Sequence, residues 1–536
     1  MIKPVDNIVI VGGGSAGWIT AAMIVKQFPH KNITVIESPD VPTVGVGEST
    51  LGQFKQMCEF LEIDEPEFMR RTDASYKLSI KFNDFYEKDD GGFHYPFGLP
   101  FEDNTITGVN DWFYKKIFYP ETPVTDYVDS FFPVAALFDK NKFSTNSNGE
   151  LDNYNPLWNA AYHFDATKFA IWLRDQYCIP RGVNHIQATV VDADVDSEVG
   201  IQKLFLSDGK EIIANLFVDC TGFRSLLIGD YMKQEFKSYD HILPNNRAWA
   251  CQVPYKDKEK EMQVFTNCTA IENGWVWNTP IWTRIGTGYV YSDKFVDPET
   301  AKEEFKRYLM SDKMVIPRTK EEVDQLKFRD LKMRIGTYKK TFVKNVVAIG
   351  LSAGFIEPLE SNGLLTIHEW TFYLLRLLTR PAINQYDKDS YNKVVFEHWE
   401  NFADFVAKHY ALSIRNDTEY WRSNFNRSII DLNEKHGCNN QWASETISLR
   451  FSKKIIPPQN INGINWISTG MHWFINDHAL YSYLEAPHEK NSNNKKREDL
   501  ERVFRILEKR KLRWQKHAEK CPSVYEFQKN NIHFED

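Results

Sequence analysis

Residues 8–17 read Ile-Val-Ile-Val-Gly-Gly-Gly-Ser-Ala-Gly. Four apolar residues run into three consecutive glycines, and an apolar-periodic segment over 18–28 follows. That order predicts a buried strand, a glycine turn and a helix start. Gly12, Gly14 and Gly17 have the Gly-x-Gly-x-x-Gly spacing. Gly12 permits the tight turn, Gly14 lets the backbone approach a pyrophosphate, and Gly17 lets the helix pack closely on the strand. The amides of Ser15, Ala16 and Gly17 open the helix, whose positive end favours phosphate. A second strand over 33–36 ends at Glu37, 20 residues beyond Gly17, where an acid accepts from an adenosine ribose hydroxyl. The plainer alternative, a glycine-rich turn without a ligand, has nothing to explain the strand, helix and acid around it.

Working outward, the chain has 536 residues, enough for several domains' worth of core. With 42% hydrophobic and 26% charged residues it reads as globular rather than disordered. Aromatic content is 14%, which favours a large core or an aromatic-lined cavity. A net charge of −8 argues against non-specific nucleic-acid binding. Seven cysteines contain no Cys-x-x-Cys pair, so neither a redox motif nor a metal site is expected, and a reducing compartment is. The N-terminus runs directly into the nucleotide strand, and no apolar run approaches the roughly 18–20 residues of a membrane span. A cytoplasmic protein with no membrane or nucleic-acid partner is expected, and a homo-oligomer is left open.

Further along, residues 41–50 (VPTVGVGEST) are expected to loop around the nucleotide, with a helix beginning over 48–50, capped by Ser49 or Thr50 and running through Phe60. In 75–85, Tyr76, Leu78, Ile80 and Phe82 alternate with Lys77, Ser79 and Lys81, predicting one strand with one apolar face. On spacing alone both lysines are solvated on its outer face. An aromatic loop spans 91–98, and a helix capped by Asp165 is predicted within 160–175. Strands are predicted over 185–191, 201–206 and 211–218, the last running into Asp219-Cys220-Thr221-Gly222. Residues 245–295 read as an antiparallel sheet laid against the nucleotide domain, and 298–310 as a helix. A strand over 343–349 leads through Gly350-Leu351 to a helix over 364–378. That late strand–glycine–helix unit implies a nucleotide fold completed by distant segments. The rest is mainly helical, ending in a helix over 497–518 whose Lys509, Arg510, Lys511, Arg513 and Lys516 read as a solvated face.

Several segments carry more specific information. Trp275-Val276-Trp277-Asn278-Thr279-Pro280 matches a Trp-x-Trp-x-Ile-Pro signature with Thr279 for Ile. Gly45-Val46-Gly47-Glu48-Ser49-Thr50, the YHFDA of 162–166, the DCTGFRSLL of 219–227 and the GFIEPLES of 354–361 accompany it. With the glycine motif, these make the sequence resemble the flavin-dependent halogenases of the tryptophan-halogenase type over much of 7–370. The resemblance implies an α/β fold. Its parts are an FAD-binding, Rossmann-like domain of the flavin monooxygenase type, an added antiparallel layer and a mainly helical C-terminal region. It implies a core over 1–375, with substrate-side insertions at roughly 75–180 and 240–330, and a helical substrate-side region over 376–536.

The resemblance also implies the chemistry. FAD arrives as FADH2 from a partner flavin reductase and, with O2 and halide (bromide, chloride or iodide), yields hypohalous acid. That acid passes through a tunnel to Lys77, where an ammonium polarises it or a neutral amine becomes a haloamine. Glu360 stabilises the arenium cation, takes its proton or orients the oxidant, although by position alone it is also a helix-start charge. The backbone of Asn362 and Gly363, where Thr-Gly is usual, corresponds to the halide site. Trp275, Trp277 and Pro280 line the flavin side of the tunnel, a role compatible with plain core packing. Gly12, Gly14, Ser15, Ala16, Gly17, Glu37, Gly47, Glu48, Ser49, Thr50, Val190, Thr221, Gly222, Gly350 and Leu351 are the implied cofactor contacts. Tyr95, Phe97 and Ser361 are implied on the substrate side. Tryptophan-specific members carry His-x-Phe where this chain has Tyr95-Pro96-Phe97, so an indole- or phenol-like small molecule is expected. The competing readings are a flavin-dependent aromatic monooxygenase, which usually carries Gly-Asp-Ala where Gly350-Leu351-Ser352-Ala353 stands, and a non-catalytic FAD-binding protein. A nicotinamide dehydrogenase has no hydride-transfer constellation here.

Overall fold

Strand Asn7–Val11 lies inside a six-stranded sheet and pairs in parallel with Asn32–Glu37 on one side and Leu216–Asp219 on the other. The order continues outward to Asn184–Gln187 on one edge, and to Val346–Ala348 and then Phe342–Val343 on the other. These relations come from a computed structural model describing residues 4–40, 47–101, 111–145, 149–424, 466–472 and 490–534. The first strand is buried from Ile8 to Val11, as a parallel strand covered on both faces must be. Helix Ser15–Gln27 follows Gly14, and helix Gly363–Leu378 packs beside it, with the Thr20 and Thr371 hydroxyls 3.2 Å apart. The nucleotide fold is thus assembled from segments more than 300 residues apart in sequence, as the late strand–glycine–helix unit implied.

A seven-stranded sheet forms the second layer, in the order Arg329–Lys332, Arg247–Val253, Ile285–Tyr291, Gly274–Pro280, Phe265–Ile271, Ser79–Asn83, Gly92–Pro96. It is antiparallel except where Phe265–Ile271 pairs in parallel with Ser79–Asn83. A three-stranded sheet joins the layers: Ala161–Phe164 is its centre, flanked by Glu48–Ser49 and Ser75–Lys77. The expected α/β architecture with an added, mostly antiparallel layer is therefore present.

Several elements differ from expectation. The single strand expected over 75–85 is two, Ser75–Lys77 and Ser79–Asn83, in different sheets. Leu78 separates them, its N–H donating to the Val264 carbonyl and its carbonyl accepting from the Phe97 N–H. Lys77 is consequently fully buried, not solvated, and Lys81 is only partly exposed. Glu48 and Ser49 pair with Phe164 and His163 instead of starting a helix, and the Thr50 hydroxyl donates to the Tyr162 carbonyl. The helix begins only at Gln53, behind Gly52. The helix expected within 160–175 is strand Ala161–Phe164, then helix Ala166–Trp172 passing into a wider π turn; Asp165 caps it by accepting from Thr167 and Lys168. Residues 211–218 split between two sheets, Glu211–Ile212 and Leu216–Asp219.

The C-terminal helix Lys490–Ala518 uses its basic run inward. Lys511 pairs with Asp126, which Lys115 also reaches at 2.7 Å, and Arg510 donates to the Ser130 carbonyl. Arg513 pairs with Asp152. These contacts dock the helix on Lys115, Asp126, Ser130 and Asp152, so the run is partly an intramolecular clamp and not simply a solvated face.

Candidate active site

The carboxyl ends of the parallel strands gather the glycine motif, Glu37, Thr221-Gly222 and Gly350 at one sheet edge, where open α/β sheets bind ligands. Gly12 has φ +117°, and a Cβ there would meet the Cys220 carbonyl oxygen at 2.2 Å. A Cβ on Gly17 would lie 1.8 Å from the Gly12 carbonyl. Those two glycines serve packing of the protein on itself. Gly14 and Gly222 instead face open space among the described residues, none of which has an atom within 4 Å of a Cβ built on either. Free volume beside a helix N-terminus lacking any side-chain cap suits a pyrophosphate, so the residues present fit FAD.

The other candidate cofactor residues surround this edge. Glu37 keeps one carboxylate oxygen 2.9 Å from His185 Nε2. The Ser15 hydroxyl donates to the Ala166 carbonyl, and a Cβ on Gly350 would touch Ala16. The Thr221 hydroxyl donates to Asp219 at 2.7 Å. Val190 is buried in one apolar cluster with Val9, Val11 and Ile36, whereas Leu351 is exposed. Gly47 lies near Arg284, which pairs with Asp165 at 2.9 Å; burial, with Asp165 beside it, lifts the Glu48 carboxyl to about 7. Residues 41–46 of the expected nucleotide loop, with Gly45 and Val46, lie outside the described residues.

Lys77 is the centre of a second, buried group of polar side chains. Its Nζ donates to the Thr50 carbonyl at 3.0 Å and to Ser361 Oγ at 2.9 Å, and sits 4.8 Å from the centre of the Phe97 ring. Burial pulls its ammonium down from 10.5 to about 7, opposed by groups that include Glu360. The Ser361 hydroxyl donates onward to Ser49 Oγ at 3.1 Å, and Ser49 is 2.7 Å from Thr266 Oγ1. Thr266 is 2.8 Å from His163 Nε2, and His163 Nδ1 is 3.2 Å from the Pro280 carbonyl. One hydrogen-bonded chain thus ties together segments that share no proximity in sequence. Strand register explains it: Ser49 and Ser75 both stand opposite His163, and Lys77 opposite the small Ala161.

Glu360 is also buried, on the turn before helix Gly363–Leu378, and Ser361 takes the left-handed conformation at φ +57°. His409 Nε2 approaches Glu360 Oε1 at 2.8 Å. Its neighbour Tyr410 donates to Glu357 Oε2, which also accepts from Asn245 and from the Trp275 indole N–H at 2.8 Å. Glu357, to which sequence reasoning gave no role, therefore anchors the first tryptophan of the Trp-x-Trp segment. Trp275 is fully buried, and the Trp277 ring lies over Gly288, where a Cβ would clash at 2.2 Å. Tyr95 is near enough to Glu360 for the carboxylate, after burial, to push its phenol up. Among the described residues Asn362 Nδ2 is buried without an acceptor, and none comes within 4 Å of a Cβ built on Gly363. His163, Thr266 and His409 were missed as site residues. A cleft of about 500 Å³ elsewhere, lined by residues including Cys251, Arg318 and Arg329, contains none of these side chains.

The tryptophan halogenase family model matches residues 7–445. The chain belongs to the tryptophan halogenase family. It is 32% identical over 449 residues to tryptophan 6-halogenase SttH of Streptomyces toxytricini, covering 80% of this chain and 82% of that one. Among solved structures it is similar to that of apo VirX1, with TM-score 0.88, 33% identity and coverage of 99% and 100% of the two chains. It is also similar to BrvH, a flavin-dependent halogenase from Brevundimonas sp. BAL3, at TM-score 0.80 and 28% identity over 98% and 99%. As a tryptophan halogenase family member it is a flavin-dependent enzyme, and such enzymes generally need a separate flavin reductase and an aromatic substrate. Among the described residues, no helix is long and apolar enough to cross a membrane.

Proposed function

We propose that this halogenase converts bromide, chloride or iodide to hypohalous acid and delivers it to Lys77, which directs halogenation of an electron-rich indole- or phenol-like small molecule. Reduced FAD, supplied by a reductase, contributes the oxidising chemistry with O2 when bound. The observation that carries the reading is Lys77 itself: a fully buried lysine, held by Thr50 and Ser361, next to the ring of Phe97 and in the field of Glu360. Burying an ammonium without a full counter-ion is costly, and such groups concentrate at functional sites.

The residues divide the work. The glycine edge and Glu37 hold the nucleotide, with Ser15–Gly17 amides, Thr221, Gly350, Leu351 and Val190 around it. Gly47, Glu48, Ser49 and Thr50 link that end to the lysine. Asn362 and Gly363 hold halide at a helix N-terminus, where an anion is favoured. Trp275, Trp277 and Pro280 form the wall between the two ends. At Lys77 the oxidant transfers X⁺ to the ring, Tyr95 and Phe97 orient that ring, and Glu360 stabilises the cation and accepts its proton. The balance is ArH + HOX → ArX + H2O. Tyr95 replaces a histidine of tryptophan-specific members, which favours a substrate other than free tryptophan.

Residues 1–375 form the FAD-binding and halogenating core of this reading, 376–536 its substrate-side region, and the enzyme works in the cytoplasm. The test is turnover of an indole and phenol panel with FAD, NADH, a flavin reductase and bromide or chloride, read by halogen isotope pattern. Halogenated product that disappears in Lys77→Ala is expected. Hydroxylated product would mark a monooxygenase, and flavin binding with neither product a silent FAD-binding protein.

A further inference from the structure

The chain from Lys77 to Pro280 has only one consistent direction, and its far end fixes it. The Ser75 hydroxyl gives its proton to the Pro280 carbonyl at 2.5 Å. His163 Nδ1 therefore meets only lone pairs, those of Pro280 O at 3.2 Å and Ser75 Oγ at 3.4 Å. Nδ1 must carry the hydrogen, and in a neutral ring Nε2 must accept. Burial, followed by the nearby Lys77 ammonium, holds this imidazole well below its ordinary range, so it is neutral. Thr266 then donates to Nε2, Ser49 donates to Thr266, and Ser361 donates to Ser49. Ser361 is left with lone pairs alone for Lys77.

We propose that His163, acting through Thr266, is a positioning residue that orients the Ser49 and Ser361 hydroxyls so that Lys77 Nζ is held as a donor on two sides. Nζ has three positions beyond its own carbon, and the Thr50 carbonyl and Ser361 Oγ take two. The third is kept for the oxidant, as an N–H in the ammonium and as a lone pair in the amine. A chain with no fixed end would let Ser361 rotate and donate to that lone pair, blocking it. The inference rests on the function proposed for Lys77.

Two measurements test it on the full chain. In protein carrying ¹⁵N-histidine, with the His163 signals assigned by their loss in His163→Gln, Nδ1 is expected to be protonated and Nε2 unprotonated at neutral pH. In turnover, His163→Met is expected to lower kcat for halogenation about tenfold, with FAD affinity and the KM for bromide unchanged. His163→Gln, whose amide can accept from Thr266 and donate to Pro280, should recover most of that loss. An Nε2–H tautomer, a Met variant as fast as wild type, or a Gln variant as slow as Met at equal thermal stability overturns this role and leaves the halogenase reading standing. A wild type that gives no halogenated product overturns both, whatever the tautomer.

Discussion

His409 Nε2 stands 2.8 Å from Glu360 Oε1, while its Nδ1 faces the carbonyls of Phe405 and Val406 at 3.3 and 3.2 Å. Carbonyls only accept, so Nδ1 is the donor. The approach is close but bent, outside hydrogen-bond angles, so it is an electrostatic contact and not a linear bond. Among the described residues Glu360 has no hydrogen-bond partner, and His409 lies in direct polar contact with it. Removing one member of a buried pair leaves the other uncompensated. His409→Phe is expected to cost about 3 kcal/mol in urea unfolding and to lower halogenation about tenfold. A double-mutant cycle with Glu360→Gln should show coupling above about 1 kcal/mol, and strict additivity would show the two side chains to be independent.

Lys77 ties stability to pH. Its folded value is about 7 and its ordinary value 10.5, so between those limits the unfolded chain binds a proton that the folded chain does not. Stability must then rise with pH across that window, with the full penalty present below about 7 and none above 10.5. In Lys77→Met the term is absent. The wild type should gain on this variant from pH 7 to 9, at a slope approaching about 1.4 kcal/mol per pH unit, while the variant makes no halogenated product. Parallel stability curves for the two proteins would mean that Lys77 titrates normally.

The glycine edge separates two effects that one motif combines. Among the described residues a Cβ on Gly14 meets nothing, whereas one on Gly17 meets the Gly12 carbonyl at 1.8 Å. Gly14→Ala should therefore fold with near wild-type thermal stability but bind FAD at least tenfold more weakly, a loss of about 1.4 kcal/mol. Gly17→Ala should lose about 1–3 kcal/mol of stability or fail to fold. Fluorescence titration with FAD beside a melting curve distinguishes them, and unchanged FAD affinity in Gly14→Ala would place the pyrophosphate elsewhere.

What was legible in the sequence followed from local chemistry. Glycine spacing on a strand–helix boundary has one geometric meaning, so Gly12–Gly17, Glu37 and the late Gly350 segment fell at one sheet edge. Asp165 capped its helix because a short acid before Ala166 has few better uses. Alternation over 75–85 misled because period two looks the same whether one strand continues or two strands meet at Leu78, and only pairing with Ala161–Phe164 buries Lys77. The same blindness hid His163. Its role comes from standing opposite Ser49 and Ser75, a register set by segments over 80 residues apart. His409 and Glu357 were missed because helix Gln385–Ala411 meets the Glu357–Glu360 turn through tertiary packing alone, with no local pattern to announce it.

The surroundings of Asn362 make its proposed part in holding halide testable. It precedes helix Gly363–Leu378 yet makes no side-chain cap to it, and its Nδ2 is buried with no acceptor among the described residues. The first amides of a helix lack internal partners, and the dipole favours an anion there. Beside it, none of the described residues comes within 4 Å of a Cβ built on Gly363. A buried N–H without an acceptor costs about 1–3 kcal/mol, a cost that a bound halide removes. Asn362→Asp keeps the size but replaces the donor with a negative oxygen, so bromide affinity should fall at least tenfold, while Asn362→Thr restores a hydroxyl donor and should lose less. Bromide titration of the FAD-loaded protein, followed by flavin fluorescence, reads both. An Asp variant binding bromide as tightly as wild type would move the halide away from this helix end.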